Sequence, residues 1–264
     1  MTATQTESPS ATVTRCQLSR APLVRVLCQV QWLPLSKVNS NTIQPIADQL
    51  ALAIADEYPF RETAQEMRVT ITPAGVEQQA GRVIHRFVSA DRTWTVTLSD
   101  LFLAVETAAY SGHGQFIDRL ERAMAALTAL IEIPYLVRLG YRYTDRLTGQ
   151  ADLGAIETYF KPELLGGVSQ RGPFELAQSV TESVFKTDGS SLRVRSALLA
   201  PRMAITPDLA PVDVTSWVLD LDSVDEPSSG ITPNSIGAFA EALSSRASDY
   251  FWSMVSEPFV ERFQ

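Results

Sequence analysis

Residues 136–147 read Leu136-Val137-Arg138-Leu139-Gly140-Tyr141-Arg142-Tyr143-Thr144-Asp145-Arg146-Leu147. Their side chains alternate. Val137, Leu139, Tyr141, Tyr143 and Leu147 fall on one side of an extended chain, and Arg138, Arg142 and Arg146 on the other. One face belongs to a core. The other carries three guanidinium groups at four-residue intervals, ~13 Å apart at the usual strand rise. The rest of the chain organises around this strand.

Upstream, the ordered part opens at Ala21-Pro22. Val24, Val26, Cys28, Val30 and Trp32 alternate with Arg25, Gln29 and Gln31 in a half-buried first strand. Asn39 to Asn41 supply helix caps, and Ile43, Ile46, Ala47, Leu50 and Ile54 follow at helical spacing, with Pro45 tolerated in the first turn. A short strand, Met67–Thr72, stops at Pro73. A second strand covers Arg82–Ser89, and Thr93–Leu98 with Leu101–Thr107 form a hairpin. A helix from Gln115 to Ile131 buries Phe116, Leu120, Met124 and Leu127 on one stripe.

Downstream the order recurs. The central strand leads to a short helix near Leu153–Phe160, closed by Pro162 and Gly166-Gly167. A hairpin follows, Glu175–Lys186 with Ser191–Leu199, turned by Asp188-Gly189. Then come a strand over Ser216–Asp222 and a closing helix from Asn234 to Val255, with Phe259 and Phe263 beyond its end. Each half reads strand, helix, antiparallel strands, long helix. This predicts an α+β fold of duplicated architecture, with antiparallel sheet and helices on one face. The expected division is a disordered leader over 1–20, a first half over 21–133 and a second over 134–264, the two halves forming one structural unit. Joining the two sheets edge to edge would place the Arg138 strand near the join and hide two edges.

The 264 residues are enough for a substantial core, and 45% are hydrophobic. A net charge of −8 argues against general nucleic-acid binding, which needs a surplus of Lys and Arg. Cys16 and Cys28 make neither a disulfide framework nor a metal site. The leader lacks a basic-then-apolar run and no apolar window is long enough to span a bilayer, so the expectation is a cytoplasmic protein.

The candidate chemistry is sparse. His85 alternates with Val83 and Phe87 and reads as a hydrogen-bonded core histidine. His113 lies in Ser111-Gly112-His113-Gly114 before a helix, either an exposed cap or an acid or base beside an anion site. Asp220, Asp222, Asp225 and Glu226 form the densest acidic cluster. They lack the ligand ladder of a calcium loop and read as a solvated strand end. Ser183-Val184-Phe185-Lys186 matches a Ser-x-x-Lys string, but its alternation is that of a strand. No nucleophile elbow, phosphate loop or dinucleotide fingerprint occurs, and no cofactor or metal is expected.

Pro22-Leu23-Val24-Arg25-Val26-Leu27-Cys28-Gln29-Val30, the run Leu103 to Tyr110 followed by Phe116, and Arg138-Leu139-Gly140-Tyr141-Arg142-Tyr143-Thr144-Asp145 together resemble a sporadically distributed bacterial family of uncharacterised proteins. In that pattern an Ile-Asn-like pair is expected where this chain has Thr144-Asp145. The resemblance covers most of the chain after residue 20 and implies one family-length protein with no assigned reaction. A patchy distribution goes with accessory genes, including defence and toxin–antitoxin neighbourhoods, which is association rather than mechanism.

The expectation is therefore a non-enzymatic binding or interaction protein. Its contact surface would be a basic sheet face of Arg138, Arg142, Arg146, Arg193 and Arg195, offered to a protein partner or a small anionic ligand by bidentate contacts. A homodimer is compatible with the sequence. The alternative is an enzyme of unrecognised type, with His113 as acid or base and Arg142 orienting an anionic substrate. It requires those two residues in one pocket.

Overall fold

The computed structural model describes residues 13–40, 42–72, 75–170, 172–187, 189–227 and 230–264, the side chains of 66–80 and 187 excepted. Met1 to Thr12, Asn41, Pro73 and Asp188, read above as leader, cap and turn residues, lie outside these.

In chain order the elements are β1 (Leu23–Gln31), α1 (Ile43–Ala53), β2 (Phe60–Thr72), β3 (Gly75–Val88), β4 (Trp94–Leu98), β5 (Phe102–Thr107) and α2 (His113–Thr128). There follow β6 (Arg138–Leu147), α3 (Gln150–Gly154), α4 (Ile156–Tyr159), β7 (Ser179–Thr187), β8 (Ser190–Leu199), β9 (Ser216–Asp225), α5 (Ile236–Met254) and α6 (Glu257–Phe263). The strands form one nine-stranded antiparallel sheet in the order β2-β3-β4-β5-β1-β6-β9-β8-β7. The α+β class follows directly.

The sheet order is read outward from its middle. β1 pairs antiparallel with β6, Cys28 opposite Tyr141 and Val30 opposite Leu139. Beyond β1 lies β5, the last strand of the first meander, and beyond β6 lies β9, the last strand of the second. The two halves share one sheet, and the arginine-bearing strand is at the join.

Alternation decides what lies on each side. Val26, Cys28, Val30, Leu103, Val105, Leu139 and Tyr141 are buried in a core beneath Phe116, Leu120, Met124, Leu127 and Leu243 of α2 and α5. A second core gathers Leu147, Val194, Trp217, Leu219 and Leu221 under Tyr159, Phe160, Phe259 and Phe263. All six helices named here stand on that side. Among the described residues no helix stands on the opposite face. It is crossed instead by the segment between β8 and β9, whose Leu209 and Ile205 pack on Ala197, Leu199 and Val218.

Several features differ from the sequence reading. β3 begins at Gly75, seven residues before the expected Arg82. β2 begins at Phe60, seven residues before the expected Met67, because it is an outer strand with polar alternation, Arg61, Glu62 and Gln65. The chain beyond Val255 is helical. Ser256 occupies the N-cap position and Pro258 the first turn of α6, which buries Phe259 and Phe263. Asp220 is no solvated strand end; it is fully buried.

Candidate functional site

The arginines land together on the uncovered face, but among carboxylates. β9 separates β6 from β8, so Asp220 and Asp222 stand between the two basic rows. Arg142 donates to Asp220 from Nε at 2.6 Å and from Nη2 at 3.0 Å. Arg195 reaches the same carboxylate at 3.0 Å, and the Thr144 hydroxyl adds a bond of 3.0 Å. Arg138 lies 3.3 Å from Glu226, and a Cβ at Gly140 would come within 3.2 Å of the Arg138 guanidinium, so the glycine keeps its place open. Burial raises the pKa of Asp222, with Arg138 and Arg142 drawing it back. Arg146 keeps Nε and Nη2 buried without a hydrogen-bond partner among the described residues, and Arg193 is exposed. Two of the five arginines thus share one buried carboxylate.

Next to them on the same face, Arg25 grips Glu106 at 2.9 and 2.6 Å and Arg86 adds a bond of 3.2 Å. These ion pairs edge a groove of about 400 Å³ with Leu27, Ile84 and Phe102 on its floor.

A different site appears on the helix side. A cavity of about 340 Å³ opens over β6 at the join of the halves, beside α5 and the first residue of α2. Tyr143 and Asp145 come up from β6, Leu23 from β1 and Leu221 from β9, while Ser244, Ala247, Ser248 and Phe251 descend from α5. Tyr110 closes one wall. Its hydroxyl lies 3.1 Å from that of Tyr143, which in turn lies 2.7 Å from Ser244 Oγ, and the two tyrosine rings meet edge to face at 5.7 Å. Burial keeps the Tyr110 hydroxyl protonated far above the usual phenol range.

Asp145 is the odd member. It is only 6% exposed, yet no described residue donates a hydrogen bond to its carboxyl. Burial, with the charge of Asp220 behind the sheet adding to it, pushes its pKa up to about 7. A carboxyl buried without a partner costs stability and calls for an explanation. Here it faces a cavity.

The stretch before β1 lies along the mouth. Arg15 pairs with Asp249 of α5 at 2.6 Å, Leu18 packs on the second core, and the Arg20 amide donates to the Phe263 carbonyl at 2.9 Å.

His113, the first residue of α2, also lines this cavity. Arg142 does not. Its neighbour Tyr143 points into the cavity, so Arg142 points to the other face of the sheet. The enzymatic alternative joined these two residues over one substrate; they stand on opposite faces, and it is set aside. His85 is buried elsewhere, with Arg61 Nη2 3.2 Å from its Nδ1; burial and that arginine lower its pKa. Among the described residues no three of His, Cys, Asp and Glu gather where they could hold a metal ion.

The strand alternation held a signal for Asp145 that the arginines overshadowed. Tyr141, Tyr143, Asp145 and Leu147 share the core face, and a lone carboxylate in an apolar row is the mark of a special position.

Fold and site together define an α+β protein with one open antiparallel sheet, a cavity on its helix side and ion-paired arginines on its bare side. No protein-family model matches the chain, and a search of the curated proteins finds no match. No helix among the described residues is long and apolar enough to cross a membrane.

Proposed function

We propose that this is a non-catalytic binding protein whose ligand site is the cavity at the join of the two halves. One observation carries it: the Asp145 carboxyl, buried and without a donor, at the floor of a cavity of ligand size. Binding is favoured over catalysis because the described residues show no hydrogen bond between Asp145 and the hydroxyls of the cavity wall, which are engaged with one another. Drawn gently from its own host, the protein is expected to carry a reproducible small mass in native mass spectrometry. Ser248→Trp, which fills the mouth of the cavity, should remove it. Wild type and variant equally bare would contradict the proposal.

A second reading keeps the uncovered face as a contact surface for a protein partner or a small anionic ligand. It is supported by the exposed Arg193 and by the fact that no helix among the described residues covers that face. Arg142→Glu would not test it, because Arg142 is bound to buried Asp220; Arg193→Glu does, through loss of partner capture with the fold intact. We further propose that the halves arose by duplication, which their matching strand connections support, and that the protein works in the cytoplasm in an accessory role. The resemblance to the sporadically distributed bacterial family supports that last point.

A further inference from the structure

Resting on the reading of the cavity as a ligand site, we infer that its ligand is a small organic cation, a protonated amine whose ammonium sits on Asp145 and whose apolar body lies against Tyr110, Tyr143 and Phe251.

The charges facing the cavity set the sign. Asp145 is at the floor. In the wall, Tyr110, Tyr143 and Ser244 are neutral hydroxyls engaged with one another. At the mouth Arg15 and Asp249 neutralise each other, and His113 stands exposed at the rim on α2. Behind the strand Asp220 adds a second negative charge, shared by Arg142 and Arg195. No basic group from β1, β6, β9, α2 or α5 reaches Asp145 among the described residues, so its charge is uncompensated from within.

An anion would meet that carboxyl in a desolvated setting, the costliest arrangement for like charges. A bare divalent cation finds no second carboxylate at the floor. An ammonium supplies what is missing: a positive charge and up to three donors for a carboxylate that has none. Tyrosine faces hold organic cations, and the Tyr110 and Tyr143 rings stand in the wall. A cavity of about 340 Å³ suits a molecule with one ring and a short amine chain.

The same geometry makes binding depend on protons. In the free protein Asp145 titrates at about 7, so at lower pH an amine must displace a proton to reach it. The other groups in view are Tyr110, Tyr143, His113, Arg15, Asp249 and, behind the sheet, Asp220.

Three probes of matched size separate the possibilities: phenethylamine, 2-phenylethanol and 3-phenylpropanoate, titrated calorimetrically into the full chain near pH 8. Phenethylamine is expected to bind at least tenfold tighter than either of the others, and about tenfold more weakly near pH 6. Asp145→Asn should remove at least tenfold of the amine's affinity and leave that of the alcohol within about twofold, which also reports an intact cavity in the variant. Tightest binding of 3-phenylpropanoate or 2-phenylethanol would overturn the assignment of ligand class and leave the cavity reading standing. Amine binding untouched by Asp145→Asn would overturn the role of that residue. No binding by any probe would overturn both.

Discussion

At the scale of single residues two aspartates on neighbouring strands, Asp145 of β6 and Asp220 of β9, one register position apart and on opposite faces of the sheet, show how burial is resolved in opposite ways. Asp220 is fully buried and satisfied by two arginines and a threonine. Removing one partner of such a set leaves buried charge unpaired, so Asp220→Ala is expected to lose about 3–5 kcal/mol in urea denaturation. Asp145 has no such partners. Its folded pKa of about 7 exceeds the ordinary aspartate value, so the native state binds more protons than the unfolded chain between about pH 4 and pH 7. Stability from this group is therefore whole below that window and lost as pH rises through it. Asp145→Asn should stabilise the protein at pH 8 relative to wild type, and by more than at pH 4, the difference amounting to at most about 4 kcal/mol. An equal effect at both pH values would show that Asp145 ionises normally in the folded protein.

Among the elements, legibility followed periodicity. β1, β4, β5, β6 and α2 have one strongly apolar face each, and the apolar residues they give to the helix-side core are those the alternation and the helical stripe single out. β2 was legible only in its distal part, because an outer strand places charges and threonines where an inner strand places aliphatics. α6 was missed although Ser256 and Pro258 mark a helix start, since the apolar residues behind them are too few to show a period. That short helix matters. Phe259 is fully buried, 5.2 Å from Phe160 and 5.6 Å from Phe251, and α6 holds Arg20 beside the mouth of the cavity. Phe259→Ala is expected to cost about 3–5 kcal/mol by cavity formation, measured by chemical denaturation. The arginine row was legible as a face, but its carboxylate partners come from a strand some 75 residues away, a distance no local pattern bridges; the arginine at 142 and its acceptor are separated by 78 positions. The cavity was illegible for the same reason: it exists only where β6, α5 and the stretch before β1 converge.

In the whole molecule, the join of the halves is both the structural centre and the place where the cavity forms. Each half alone would expose a long unpaired edge, β1 in one and β6 in the other, and Leu136, Leu139 and Tyr141 of the second half are buried in the same core as Val26, Cys28 and Phe116 of the first. Fragments 13–133 and 134–264 expressed singly are accordingly expected to be insoluble or unfolded, and to reassemble when coexpressed. A soluble, folded single fragment by circular dichroism would contradict an obligate join. The cavity should be absent from either fragment, because its floor comes from β6 and β1 together with α5.

The most direct measurement is the carboxyl ¹³C shift of Asp145 followed from about pH 4 to about pH 9, with and without phenethylamine. A cation site at the join predicts a midpoint at about 7 in the free protein, moving well downward once the ammonium sits on the carboxylate. A midpoint in the ordinary aspartate range, indifferent to the amine, would contradict it.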